Sequence, residues 1–232
     1  MNNAGRETSD GLLGVVVVAA GRSTRMGGTD KTFVDVLGTP LIGHTLRRIA
    51  ASDVVDRIVL VVSADAVHDG VAIVQDLGIP KVAAVCAGGA RRQDSVLAGL
   101  VAMGDRRWVA IHDGARPCVT PDILGRALRE VRGSGAAIAA VPVKDTIKVV
   151  GDGQVISATP DRATLWAAQT PQAFDYQTLM DAHRAADAEY TDDAAMVEAA
   201  GHRVTVFRGD YDNLKVTTPE DLDVASLLLA RG

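Results

Sequence analysis

Hydrophobic residues fall along this chain in short, nearly unbroken blocks. Between the blocks lie longer stretches in which apolar positions recur every three or four residues. The blocks are Val15 to Ala20, Arg57 to Ser63 (RIVLVVS), Val82 to Cys86, Trp108 to Ile111 and Ala136 to Val141. Runs of this length and composition predict strands buried on both faces. Pro40 to Ala51 reads as a helix with Thr39 as N-cap and Pro40 in the first helical position. Further helices are expected over Ala66 to Leu77, which Gly78-Ile79-Pro80 ends, and over Asp94 to Met103 and Pro121 to Arg132. The alternation predicts an α/β fold, a doubly wound and mostly parallel sheet with helices on both faces. Ligands of such sheets sit at the carboxyl ends of the strands.

The pattern changes between Val143 and Pro171. The segment DTIKVVGDGQVISATPDR holds two alternating runs joined by Gly151-Asp152-Gly153, which is a hairpin signal. No helical pattern is available to cover it, and a two-stranded ribbon alone in water is marginal. Residues 143–168 are therefore expected to form a protruding β-arm that packs on a second copy of the chain, giving a homodimer. Helices return over Asp175 to Ala188 and Asp192 to Ala200, and Val204 to Phe207 is a late strand. Thr218-Pro219-Glu220-Asp221 caps a final helix, with acids placed to suit its dipole. A single domain is expected over residues 1–232, with a disordered tail at 1–11, and the end at Gly232 is expected to leave no room for a fused second enzyme.

Composition narrows the function classes. The 232 residues are 47% hydrophobic and 23% charged, with net charge −5, so no global basic excess favours nucleic acid. Aromatic residues are only 3%, which argues against stacking platforms for single strands. Cys86 and Cys118 make no disulfide framework, which fits a reducing cytoplasm. The five histidines lack zinc spacing. No apolar stretch is long enough to span a membrane, and the run at Leu12 lacks the basic region of a signal peptide.

The candidate chemistry follows the strands. After the first comes AAGRSTRMGGTDK, Ala19 to Lys31. Its glycine spacing fits neither the dinucleotide fingerprint nor the P-loop. What remains is a Gly-rich turn whose backbone N–H groups can cradle phosphates, with Arg25 and Lys31 to neutralise them. Gly88-Gly89 follows the third strand and lets backbone approach a base, and Ser95 lies at the start of the next helix. His112-Asp113 follows the fourth strand. A carboxylate at a strand end facing a triphosphate is a hard-oxygen ligand for Mg²⁺, whereas His112 reads as a packed histidine that orients the loop. Arg116 in the same loop is placed to reach a substrate phosphate.

Six further segments occur in order: AGGARRQDSVLAGL, HDGARP, DTIK, QTPQAF, TDDA and DNLKVTTPEDL. With the opening loop, they resemble the 2-C-methyl-D-erythritol 4-phosphate cytidylyltransferases of the non-mevalonate isoprenoid pathway, from about Val15 to the C-terminus. The resemblance implies a Rossmann-like nucleotidyltransferase fold and transfer of CMP from CTP to the polyol phosphate, with release of pyrophosphate. It implies that Ala19, Ala20, Gly21, Gly89, Ala90 and Ser95 hold the nucleotide, largely through backbone groups. It assigns Arg25, Lys31 and Lys215 to the phosphates and Asp113 to Mg²⁺. Arg116, Thr146, Arg162 and Thr170 are assigned to the polyol phosphate, with the arm crossing to the other subunit.

The loop departs from the family pattern in one place. Asp30 stands where a proline usually precedes the lysine, and RMGGTDK looks more like a molybdenum-cofactor guanylyltransferase. The later motifs do not share that likeness. A ribitol 5-phosphate cytidylyltransferase uses much of the same scaffold, and spacing alone does not separate the two polyols. A non-catalytic nucleotide-binding module is the reading from a different class. Retention of Arg25, Lys31 and Asp113 together argues against it, and the missing GxGxxG argues against a nicotinamide oxidoreductase.

Overall fold

The computed structural model describes residues 11–21 and 31–231. Strand β1, Leu13–Ala19, opens the chain's core. A 3₁₀ turn over Lys31–Phe33 leads to the two-residue strands β2, Asp35–Val36, and β3, Thr39–Pro40. Helix α1 is Leu41–Ala50, strand β4 Val55–Val62, helix α2 Val67–Leu77 and strand β5 Val82–Ala87. Then come α3, Arg92–Met103, β6, Trp108–Asp113, α4, Pro121–Ser134, and β7, Ala136–Pro142. The arm carries β8, Val149–Val150, and β9, Ile156–Ala158. Strand β10, Trp166–Asp175, is followed by α5, Tyr176–Ala185, α6, Asp193–Ala199, β11, Thr205–Arg208, and α7, Pro219–Leu229.

The main sheet has seven strands in the order β11-β7-β10-β6-β1-β4-β5. All neighbours are parallel except β10, which runs antiparallel to both β6 and β7. The alternation of side chains along β1 shows why its run is apolar throughout. Leu13, Val15, Val17 and Ala19 pack under α1, α2 and α4, whereas Val16 packs under α3, α5 and α6. The sheet is thus covered on both faces, as the sequence pattern predicts.

Two elements differ from expectation. Thr39 and Pro40 do not begin α1; they pair with Asp35 and Val36 as a small hairpin, and Leu41 is the first helical residue. Thr39 is thereby extended and buried, and Arg47 Nη1 donates to its hydroxyl at 3.1 Å. The second is β10, ten residues long and absent from the strand expectations. Its Pro171 and paired glutamines disguise it. The ladder to β7 breaks between Ala168 and Gln172, so Gln169, Thr170 and Pro171 stand outside the register.

The arm forms where expected, as the ribbon β8–β9 with its turn at Gly151 to Gln154. It carries the exposed apolar side chains Val149, Val150, Val155 and Ile156. Residues 1–10, most of the expected tail, lie outside the described residues. Gly11 sits in a turn, and its carbonyl accepts a hydrogen bond from Arg132.

Candidate active site

The chain runs from β1 outward through β4 to β5, then returns to add β6 on the other side of β1. The direction of winding reverses there, so the loops after β1 and β6 diverge and leave a crevice. Val18 and Asp113 are register partners at the two carboxyl ends. A cleft of about 830 Å³ opens at this point. Ala19, Ala20, Gly21, Gly89, Ala90, Ser95, Asp113 and Lys215, all expected from the sequence, line it. A smaller pocket of about 240 Å³ adjoins it and includes Asp113, Arg116, Thr170 and Lys215.

The Gly88-Gly89 turn is closed by Ser95. Its hydroxyl accepts from the Gly89 N–H at 3.1 Å and donates to the Arg91 carbonyl at 3.2 Å. A Cβ on Gly88 would lie 2.5 Å from the Ala20 Cβ and 2.6 Å from the Ser95 Oγ, so glycine is needed to bring this backbone against the β1 loop. Helix α3 begins directly behind with a capping box in which the Arg91 N–H donates to Asp94, and its N-terminal residues Arg92 and Ser95 line the cleft, so its positive dipole end lies at the cavity wall.

Three loops are tied together beneath the smaller pocket. The Arg116 guanidinium donates to the Asn213 carbonyl at 2.8 Å, Asn213 Nδ2 donates to the Thr170 carbonyl at 2.8 Å, and the Val216 N–H donates to the Ala115 carbonyl at 2.8 Å. This stitching carries Lys215 to Asp113, with Nζ 3.0 Å from Oδ2. Arg116 Nε lies 3.4 Å from the same oxygen, and Arg92 Nη2 lies 3.8 Å from Oδ1. One carboxylate therefore stands among three cations. Burial pushes the Asp113 carboxyl up, but Lys215, Arg92 and Arg116 together outweigh it and hold the group down to about 2. Burial lowers the Arg116 guanidinium against the pull of Asp113. The surplus of positive charge is what an incoming polyanion requires.

His112 is fully buried, and burial lowers its imidazole to about 4, so it is neutral at pH 7. Nε2 lies 3.3 Å from the Arg116 carbonyl, which only accepts, so that nitrogen carries the proton. Nδ1 is then an acceptor for the Thr170 hydroxyl at 3.1 Å, while Thr170 Oγ1 accepts the Asp113 N–H at 3.0 Å. This chain of bonds fixes the backbone of Asp113. His112 orients the loop, and Thr170 ties that loop to β10.

Thr146 and Arg162 lie on the exposed arm outside both cavities, and Arg162 Nη1 donates to the Lys144 carbonyl at 2.6 Å. Arg25 and the Lys31 side chain lie outside the described residues. Residues not singled out in the sequence also line the cavities. Thr32, Ser63 and Asp65 flank the larger one, Gln172, Thr191 and Asp192 the smaller, and Arg92 both. Arg92 sits 2.8 Å from Asp193 Oδ2, a fully buried carboxylate. Burial raises the Asp193 carboxyl against the pull of Arg92. Nearby, burial and then the charge of Arg92 lower His183 to about 4. The signal for Arg92 was its place between a Gly-Gly pair and the helix expected from Asp94, which in fact begins at Arg92 itself, but the adjacent Arg91 made the two indistinguishable.

A crevice at the reversal point of a parallel sheet, cradled by glycine backbone and floored by cations around one ionised carboxylate, defines a nucleotide-handling transferase of the Rossmann-like class. The chain belongs to the 2-C-methyl-D-erythritol 4-phosphate cytidylyltransferase family, whose model matches residues 13–231. A relative of that name from Geobacter metallireducens is 47% identical over 92% of this chain and 96% of its own. One from Dehalococcoides mccartyi is 43% identical over 95% and 97%. Among solved structures, 4-diphosphocytidyl-2C-methyl-D-erythritol synthase from Anaerococcus prevotii superposes with TM-score 0.84 at 28% identity, over 97% of this chain and 99% of that one. The Thermus thermophilus 2-C-methyl-D-erythritol 4-phosphate cytidylyltransferase gives TM-score 0.76 at 32% identity, over 95% and 100%.

Proposed function

We propose that this chain transfers CMP from CTP to 2-C-methyl-D-erythritol 4-phosphate, in the cytoplasm and as a step of isoprenoid precursor synthesis. The observation that carries the reading is the joined pair of cavities meeting at Asp113 and Lys215, in a chain that belongs to this family. The larger takes CTP, with Ala19, Ala20, Gly21, Gly89, Ala90 and Ser95 around the nucleotide and Arg25, Lys31 and Lys215 on its phosphates. The smaller takes the acceptor, with Arg116 and Thr170 nearby.

The acceptor phosphate is already an anion, so no protein nucleophile is required. Its oxygen forms a bond to the α-phosphorus of CTP in line with the bond that breaks. The bridging oxygen to the β-phosphorus leaves with the electron pair as pyrophosphate. The protein then acts by positioning and by neutralising charge. Lys215 and Arg116 are anchored for that work by the loop stitching, and His112 and Thr170 hold Asp113.

Asp113 fits a divalent cation. Its carboxyl is held down to about 2, so it is ionised at neutral pH, and its Oδ1 lies 3.8 Å from Arg92 Nη2. Among the described residues no three His, Cys, Asp or Glu gather as a metal set, and Asp113 is the residue that would hold Mg²⁺. When bound, it supplies positive charge to the reacting phosphates. The exposed apolar arm supports a homodimer in which Thr146 and Arg162 reach the partner's acceptor pocket. No helix among the described residues is long and apolar enough to cross a membrane.

The test is ³¹P NMR of a reaction with CTP, Mg²⁺ and 2-C-methyl-D-erythritol 4-phosphate. A new pair of coupled diphosphate signals together with pyrophosphate is expected. Orthophosphate alone, or no change, would refute the reading.

A further inference from the structure

The two cavities share three charged side chains: Asp113, Lys215 and Arg92. The first two already have a role; Arg92, which lies in the AGGARRQDSVLAGL segment, has been given none. It is the first residue of α3, and its side chain is 28% exposed, at the junction between the cavities. Its two terminal nitrogens face different carboxylates. Nη1 is 2.8 Å from Asp193 Oδ2, and Nη2 is 3.8 Å from Asp113 Oδ1.

Asp193 comes from another element, the start of α6, and is fully buried. Its contact with Arg92 is an ion pair: neither carboxylate oxygen has a hydrogen bond of good geometry among the described residues, and His183 Nε2 is 3.9 Å from Oδ1. The end of α6 that carries it is fastened to β10. Gln172 Nε2 donates to Asp192 Oδ2 at 2.9 Å, and the Ala194 N–H donates to Gln172 Oε1 at 3.1 Å. A buried ion pair is a weak source of stability and is often replaced by apolar side chains at no loss. What this pair does is geometric. With one nitrogen 2.8 Å from a fully buried carboxylate and the other 3.8 Å from Asp113, the planar fork is held where the two cavities meet, a place suited to meeting an oxyanion.

We infer that Arg92 receives the acceptor's phosphate where the two cavities meet and holds it in line with the nucleotide, and that Asp193 is the positioning residue that aims it. The inference rests on the cytidylyl transfer proposed above. Lysine at this position keeps the charge but cannot face both carboxylates at once.

Steady-state kinetics of the full chain with CTP, Mg²⁺ and 2-C-methyl-D-erythritol 4-phosphate test it, with circular dichroism and thermal melting as folding controls. Turnover by the wild type tests the functional reading; without it, that reading falls and the inference with it. Given turnover, Arg92→Gln is expected to lower kcat/KM for the acceptor by about 100-fold, the size of one preorganised charge contact, with KM for CTP within about threefold. Asp193→Asn is expected to lower the same parameter by about tenfold. The double variant is expected to be no worse than Arg92→Gln alone, because two residues acting as one unit do not add. Additive losses, or a loss confined to KM for CTP, would overturn the inference. If Asp193→Asn does not fold, Arg92→Lys against Arg92→Gln decides it: the lysine variant is expected to retain about tenfold more acceptor kcat/KM, and equal values would overturn the assignment.

Discussion

Replacing Thr170 by valine keeps its shape and removes one oxygen. That oxygen serves two buried groups, accepting the Asp113 N–H at 3.0 Å and donating to His112 Nδ1 at 3.1 Å. Thr170 is 4% exposed and His112 0%, so water cannot substitute for the lost hydroxyl without rearrangement. Leaving a buried polar group unsatisfied costs about 1–3 kcal/mol. Two such groups give about 2–6 kcal/mol, which at ~2–4 °C per kcal/mol for a chain of this size means a fall in Tm of at least about 4 °C. Thr170→Ser keeps the oxygen and loses a methyl group, for about 1 kcal/mol. Thermal unfolding followed by the fluorescence of Trp108 and Trp166 measures both variants against the parent. Stability is the readout here because Thr170 is also a proposed acceptor contact. Valine and serine variants with the same midpoint would refute the account of the Asp113 loop.

Four other outcomes are expected. The stability gap between the wild type and His112→Asn should shrink by about 2 kcal/mol between pH 7 and pH 5, measured by urea unfolding at each pH. The sign follows from burial: the folded imidazole stays neutral to about 4, so below the unfolded value near 6.5 the unfolded chain binds the extra proton and the native state loses ground. Gly88→Ala places a Cβ 2.5 Å from that of Ala20, and overpacking of about 1–3 kcal/mol should appear as a roughly 10- to 100-fold rise in KM for CTP. Lys31→Ala should lower turnover about 100- to 1,000-fold with an unchanged circular dichroism spectrum. Val150→Asp with Ile156→Asp, register partners on the exposed arm, should shift sedimentation from dimer to monomer, and a monomeric wild type would remove the arm's proposed role.

The parallel half of the sheet was legible because β1, β4 and β6 are buried almost throughout and read as apolar runs, and the half-buried edge strand β5 keeps the same composition. Asp113 and the Gly88-Gly89 turn could be placed from sequence because they follow such runs directly. The hidden parts are those whose signal is tertiary. Strand β10 carries Pro171 and the polar residues Gln169, Thr170 and Gln172, which look like loop residues until His112, Asn213 and α6 supply their hydrogen bonds. Thr39-Pro40 has the local chemistry of a helix start, yet pairing with Asp35 and Val36 claims it first. Arg92 gains meaning only from Asp193, about a hundred residues away in sequence and adjacent in space.

The most direct measurement of the central claim is pyrophosphate release with Mg²⁺, comparing acceptors and nucleotides in one assay. With CTP, 2-C-methyl-D-erythritol 4-phosphate should be turned over and ribitol 5-phosphate should not, and GTP should not replace CTP. Preference for ribitol 5-phosphate would contradict the proposed acceptor while leaving cytidylyl transfer in place. Activity with GTP alone would contradict the account of the nucleotide cleft.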